Sequence, residues 1–200
     1  PLVEGLCAAL LARPSPVSWS CPSGVRLDTL HRETLSLMHR SGCHSLSVGI
    51  EFGTQKLLDL TKKRITLATI REKIDLLRAT PIRLTGFFLL GYPGETAEDI
   101  RTTIRFSRSL DLDRVQYNNF MPLPGSPVYR ELVASGKLSR ETLDTDRFFV
   151  HDVGFVPEGL DRKTLKKLQR YAYLAFYLRP RIFWRVLRDI KGIRHLLYLG

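Results

Sequence analysis

Three short segments carry most of the chemistry that the residue types allow: Gly49-Ile50-Glu51-Phe52-Gly53-Thr54, Leu90-Gly91-Tyr92-Pro93-Gly94-Glu95-Thr96 and Phe120-Met121-Pro122-Leu123-Pro124-Gly125-Ser126-Pro127. Each combines glycines, which let backbone come close to a ligand, with polar side chains and the start of a following helix, whose first N–H groups are free. Glu51 is the sharpest candidate. Its carboxylate can accept hydrogen bonds from a ligand's hydroxyls, or it can sit against the next helix's N-terminal dipole while the glycines merely make turns. Residue type alone leaves both readings open. Asn118 and Asn119, beside Gln116 and Tyr117, are either site-facing polar groups or ordinary strand-end residues, and Glu95 reads as first-turn helix chemistry. None of His31, His39, His44, His151 and His195 stands at a metal-ligand spacing from another, so no histidine is given a role.

The elements that must position these segments follow from hydrophobic periodicity. Val3, Leu6, Cys7 and Leu10 trace a first helix, and Val17–Cys21 reads as a short strand. Leu30, Thr34, Leu37 and Met38 trace a helix that Gly42 can end in the left-handed conformation. Ser45 to Glu51 then alternates, with Leu46, Val48 and Ile50 on one face and Ser45, Ser47, Gly49 and Glu51 on the other. A helix through Leu67, Ile70, Ile74 and Leu77 follows the cap residue Thr66, and residues 83–90 form an apolar strand. Thr96 and Asp99 open a helix through Ile100 and Ile104, and residues 115–120 form a fourth strand. Strand and helix alternating through short connections predict a parallel α/β sheet, either part of a barrel or a small open sheet. In both, the three segments converge at the carboxyl ends of the strands. If the Ser45–Glu51 polar face points into a barrel, small polar groups line the lumen there and leave room for a ligand.

The chain divides into residues 1–135, which carry this alternation, a turn-rich linker or cap over 136–160 with Phe148, Phe149, Val150 and Val153 as packing residues, and a basic helical extension over 161–200. Of the net charge of +11, the extension supplies +9, with eleven Lys and Arg against Asp161 and Asp189. Two helices are expected there, over 161–178 and 181–199, separated by Pro180. Ile182, Val186, Ile190, Ile193 and Leu197 form one stripe on the second, and Arg181, Arg185, Arg188 and Lys191 lie elsewhere around it. Packing on the sheet and docking on an anionic membrane surface both suit that pattern. Every apolar run is cut too soon for a membrane span. Cys7, Cys21 and Cys43 match neither a disulfide framework nor zinc spacing and read as reduced thiols. The sequence holds no Walker loop, dinucleotide glycine fingerprint, Gly-x-Ser-x-Gly elbow or His-Glu-x-x-His helix, which argues against common hydrolases and dehydrogenases.

Taken together and in this order, Val25–Leu30, Ser41–Thr54, Gly86–Thr96 and Pro122–Pro127 resemble the later part of a radical S-adenosylmethionine (radical SAM) enzyme. Tyr171–Pro180 looks like the C-terminal region of members that carry an upstream cobalamin-binding domain. The resemblance implies the C-terminal part of a partial (β/α)6 TIM-like barrel followed by the basic helices. It also implies an enzyme that reduces S-adenosylmethionine at a 4Fe-4S cluster to a 5'-deoxyadenosyl radical. By position it makes Glu51 a contact to the cofactor's ribose, the strand end with Phe87, Leu89 and Gly91 a wall for the adenine, and the backbone from Asn119 through Met121 to Leu123 a second adenine contact. Phe52 departs from the family, where Ser is common. The cluster's Cys-x-x-x-Cys-x-x-Cys ligands are absent from the sequence, and the chain opens at Pro1. The expectation is therefore a truncated chain, inactive alone, with metal ligands supplied elsewhere. A small-molecule or lipid-like substrate is expected, with cobalamin on a separate domain. The location is cytoplasmic, with peripheral membrane attachment left open, and transfer RNA is a less favoured substrate.

Overall fold

The computed structural model describes residues 2–138 and 153–189. Its frame is a sheet of four parallel strands in the order β1-β2-β3-β4, formed by Trp19–Val25, Cys43–Glu51, Arg83–Leu90 and Arg114–Asn119. Sequential parallel strands require helical crossovers. Helix α1 (Leu2–Leu11) precedes the sheet, and α2 (Arg32–Arg40), α3 (Gln55–Leu60), α4 (Leu67–Arg78), α5 (Ala97–Ser109) and α6 (Pro127–Ala134) connect or follow the strands. Two further helices, α7 (Arg162–Tyr177) and α8 (Pro180–Asp189), close the described chain.

The helix starts use the caps that the sequence offers. Thr66 Oγ1 accepts from the Thr69 N–H at 3.0 Å, Thr96 and Asp99 form a reciprocal capping box, and Asp161 Oδ1 accepts from the Thr164 N–H at 2.7 Å. The strands then sort their faces. Leu84, Gly86, Phe88 and Leu90 of β3 are buried under the helices, whereas Arg83, Thr85, Phe87 and Leu89 face the opposite, concave side. Leu46, Val48 and Ile50 of β2 join the same core, with Ile70, Ile74, Ile100 and Ile104 from α4 and α5.

Several boundaries differ from the sequence reading. The first strand spans Trp19–Val25 and carries Pro22 and Gly24, which an edge strand tolerates because one row of its N–H groups has no strand partner among the described residues. Periodicity did not reveal α3, which is under two turns long, nor the 3-10 turn at Leu27–Thr29. Pro180 opens α8 instead of lying outside it, at a position where its missing N–H costs nothing. Of the two readings left open for the second tail helix, packing is what its described part shows, with Ile182 buried and Val186 against the core, and Leu165, Ala172 and Phe176 of α7 belong to that same core. The basic residues of α8 turn partly inward, with Arg185 Nη1 donating to Asp113 Oδ1 at 2.5 Å and Arg181 Nη2 to Asp111 Oδ2 at 3.1 Å. Val153 is buried, while Phe148, Phe149, Val150, Ile190, Lys191, Ile193 and Leu197 lie outside the described residues. No described helix is long and apolar enough to cross a membrane.

Candidate functional site

The strand ends are where the backbone departs from regular geometry. Pairing between β2 and β3 slips after Gly49↔Phe87, so that Glu51 meets Phe88, and Glu51 adopts φ 69°. Lys62 and Arg64 have φ 54° and 53°, and among the described residues these three are the only non-glycines with positive φ. All three lie in the Glu51–Arg64 region that joins β2 to α4. A left-handed conformation costs a side-chain-bearing residue on the order of 1 kcal/mol, and such strain collects at binding sites.

The slip aims Glu51 at Lys63, whose Nζ donates to Glu51 Oε1 at 2.7 Å, each side chain about a third exposed (32% for Lys63, 29% for Glu51). A Cβ at Gly49 would lie 2.8 Å from that Oε1 and 3.5 Å from Nζ, so the ion pair sits directly over Gly49 on the concave face. A side chain here would displace the flexible ends of the pair, so glycine lets the pair lie close over the strand. Beside it is a small cavity of about 170 Å³ lined in part by Arg26, Asp28, Gly49 and Lys63. The sequence reading missed Lys63; its only signal was a basic residue in the polar connection after Glu51, which periodicity cannot distinguish from its neighbours Lys62 and Arg64.

The other candidate residues distribute as follows. Phe87 and Leu89 both occupy the concave face of β3, opposite Gln116 and Asn118 of β4. Phe87 also touches the position of the missing side chain of Gly24, at 3.4 Å, so its ring reaches across β2 to the end of β1. Gly91, at φ 81°, is buried, and a Cβ there would meet Leu165 of α7 at 2.8 Å. The side chain of Asn119 turns to the helical side, where its Nδ2 donates to Gln169 Oε1 at 3.1 Å, leaving its main chain and Asn118 toward the mouth. Met121 packs against Gly154, and Leu123 is exposed. Phe52 is buried, edge-on to Tyr92 with ring centroids 5.7 Å apart, so that position offers packing in place of a hydroxyl.

Among the described residues, the buried side-chain oxygens without a hydrogen-bond partner are Thr54 Oγ1, Glu95 Oε1, Asn118 Oδ1 and Asn119 Oδ1. Each lies at or just beyond the carboxyl end of β2, β3 or β4. Buried polar atoms are seldom left single, so their concentration at one end marks unused bonding capacity there. Glu95 is the extreme case. It lies before the cap of α5 and folds back, Oε2 accepting from the Gly91 and Tyr92 N–H groups at 2.5 and 3.1 Å. Burial pushes its carboxyl up to about 8, against those two bonds and Lys56, which favour the charged form, and with Asp99, which opposes it. Its role is to hold the turn, which the first-turn reading approximated without anticipating the burial.

No group of three or more His, Cys, Asp or Glu among the described residues could hold a metal ion. Cys7, Cys21 and Cys43 are free; burial raises the Cys21 thiol and pushes Cys43 up to about 11, which opposes the thiolate form that a cluster needs. The residues present therefore do not fit an iron-sulfur cluster. They do fit a small polar ligand at the strand ends, with a carboxylate, an ammonium and an aromatic wall on the concave face and Asn118 Oδ1 left single beside them.

The family model described as the Radical SAM superfamily matches residues 10–107, from α1 through α5. Over that span, just under half of the chain, the sequence is similar to the radical SAM superfamily. It is 27% identical over 191 residues to an uncharacterized methyltransferase of Pyrococcus horikoshii, covering 91% of this chain and 41% of that protein. It is 28% identical over 185 residues to the anaerobic magnesium-protoporphyrin IX monomethyl ester cyclase of Cereibacter sphaeroides, covering 90% of this chain and 29% of the cyclase. The chain thus spans less than half the length of these curated relatives. The fold is similar to that of the radical SAM methyltransferase TsrM from Kitasatospora setae, solved with cobalamin and a [4Fe-4S] cluster bound, at TM-score 0.57 and 18% identity over 89% of this chain and 35% of that one. It is also similar to Escherichia coli coproporphyrinogen III oxidase, at TM-score 0.54 and 17% identity over 80% of this chain and 32% of that one. Four parallel strands ending at one mouth are the radical SAM partial barrel that the motifs implied.

Proposed function

We propose that this chain forms the later, cofactor-holding wall of a radical SAM enzyme that acts on a small molecule. The observation that carries the reading is the Glu51–Lys63 pair, held over Gly49 by strained backbone at the mouth of the concave face. S-adenosylmethionine presents a ribose diol, an amino-acid carboxylate and an adenine ring. In this reading Glu51 accepts from the diol, Lys63 turns from Glu51 to the carboxylate, and Phe87 and Leu89 flank the adenine. Main chain from Asn119 to Leu123 meets the ring's polar edge, and Gly49 keeps the space beneath clear. When bound and reduced at a 4Fe-4S cluster, the cofactor supplies a carbon-centred radical.

The cluster's ligands come from outside this chain, because the sequence lacks Cys-x-x-x-Cys-x-x-Cys and its three cysteines do not fit. Any cobalamin belongs to a separate upstream domain in the same reading. Small-molecule substrates suit the family relatives, whose names specify a porphyrin ester cyclase and a nucleotidyl-phosphonate methyltransferase.

The test is calorimetric titration of the chain with S-adenosylhomocysteine, which carries the same diol, carboxylate and adenine. Measurable binding that falls at least tenfold in both Glu51→Ala and Lys63→Ala supports the site; binding unchanged in both variants rejects it. Under reducing conditions the chain alone is expected to release no 5'-deoxyadenosine, and release would overturn the assignment of the cluster to another segment.

A further inference from the structure

The outer edge of β4 has no neighbouring strand among the described residues, yet its polar groups are paired. The Val115 N–H donates to Tyr177 Oη at 3.2 Å, and the same hydroxyl donates to the Val115 carbonyl at 3.0 Å. Two residues along the strand, the Tyr117 N–H donates to Tyr173 Oη at 3.1 Å, and the Tyr117 carbonyl accepts from Gln169 Nε2 at 2.8 Å. Gln169 Oε1 then accepts from Asn119 Nδ2 at 3.1 Å. The partners recur as Gln169, Tyr173 and Tyr177, every fourth residue of α7, and the helix runs opposite to the strand.

The two periods explain why this works. Four residues of α-helix rise about 6.0 Å and two residues of strand about 6.6 Å, so side chains in one helical row stay in step with the polar groups along one strand edge. Tyr173 and Tyr177 stack at 9° with centroids 6.3 Å apart, which keeps both hydroxyls aimed the same way. An exposed strand edge invites pairing with another chain, and side chains that occupy its donors and acceptors remove that invitation.

We infer that α7 acts as a side-chain-built neighbour strand for β4, with Gln169 as the positioning residue that sets the strand's carboxyl end at the mouth. Gln169 is 8% exposed and Asn119 5% exposed, so their bonds have little competition from water. Tyr177 holds the far end of the strand, and Gln169 holds the last turn of backbone before Met121 and Leu123. Only the second half of the inference rests on the proposed function, namely that this backbone meets the cofactor.

Amide hydrogen exchange of the whole chain tests it, comparing Gln169→Leu with Tyr177→Phe and Tyr173→Phe, since the tyrosine variants lose only a hydroxyl. Tyr177→Phe is expected to speed exchange at Val115 about tenfold and leave the Asn119–Leu123 stretch unchanged. Tyr173→Phe should do the same at Tyr117, and Gln169→Leu should speed exchange at Phe120 and Met121 while sparing Val115. Equal effects of all three variants along the strand, or no effect of any, would overturn the ladder. Titration with S-adenosylhomocysteine supplies the second readout: Gln169→Leu is expected to weaken binding about tenfold and Tyr177→Phe to leave it unchanged. Parallel losses in both variants would reduce Gln169 to a merely structural role. Absence of binding to the unaltered chain would reject the proposed site, while the exchange pattern would still decide the ladder.

Discussion

The end of β2 and the outer edge of β4 solve opposite problems with similar materials. At β2, Glu51 is held in a left-handed conformation, its pairing with β3 slips, and its carboxylate pairs with a lysine about a third exposed. At β4, the outward N–H and C=O groups of Val115 and Tyr117 are all matched by α7, and the rings that do so are packed against the core. One region keeps bonding capacity in reserve, and the other uses the outer backbone groups of Val115 and Tyr117 internally, leaving Asn119 Oδ1 single at its end. Reserve next to strain suits a ligand that arrives and leaves, whereas saturation suits a support that must not move.

The sharpest way to break the comparison is to show that α7 is dispensable. Phe176 is fully buried in the main core, whereas Trp184 on α8 is 62% exposed. Phe176→Ala is expected to cost about 3–5 kcal/mol in urea unfolding, and Trp184→Ala less than about 0.5 kcal/mol. Similar small losses from both would make the tail the separable extension that its charge pattern first suggested.

Next in size is a pH effect at the mouth. Glu95 has an ordinary carboxyl pKa of 4.5 when unfolded and about 8 when folded, because burial outweighs its two backbone bonds. Between those values the unfolded chain has released this proton and the folded chain retains it, so this group's contribution falls as pH rises from about 5 to 8 and then levels off. The loss amounts to about 2–4 kcal/mol across that window. Glu95→Gln should flatten that segment of the stability profile; an unchanged slope would mean that the carboxyl is ionised in the fold, stabilised by the Gly91 and Tyr92 N–H groups.

Gly53 sharpens the same region from below. A Cβ there would stand 2.5 Å from Thr103 Cα and 2.7 Å from Phe106 Cβ, against backbone and a packed ring base on α5 that cannot turn aside. Gly53→Ala is therefore expected to destabilise by about 1–3 kcal/mol and to disturb the neighbouring Glu51 loop. Retained stability in thermal unfolding would show that α5 is looser against the mouth than its capping box implies.

How much of this was legible in the sequence follows from the range of each interaction. The alternation of Leu46, Val48 and Ile50 with Ser45, Ser47, Gly49 and Glu51 reads directly as two faces, because a strand's period is local. The caps at Thr66, Thr96 and Asp161 depend on residues three apart and were equally visible for the first two. Lys63 was not, because its pairing depends on the positive-φ turns at Lys62 and Arg64, conformations that neither residue type favours. The Gln169, Tyr173 and Tyr177 row carries a helical period, but its partners lie more than fifty residues away on a strand edge. Glu95 looked like an ordinary first-turn acid because burial is a property of the assembled loops around it.

The smallest expected effect bears most directly on the claim that strain at β2 serves binding. Glycine occupies φ near 69° without the steric cost that glutamate incurs, while losing the Lys63 bond that two partly exposed side chains make. These terms nearly offset, so Glu51→Gly is expected to leave stability within about 1 kcal/mol of the parent or slightly above it. Binding of S-adenosylhomocysteine should nevertheless fall at least tenfold, because glycine supplies no carboxylate for the diol. A variant that is as stable as the parent but does not bind would show that selection at this position favours the carboxylate over the easier backbone. A variant that unfolds would instead make the Glu51–Lys63 pair a structural bond, and the contrast with β4 would vanish.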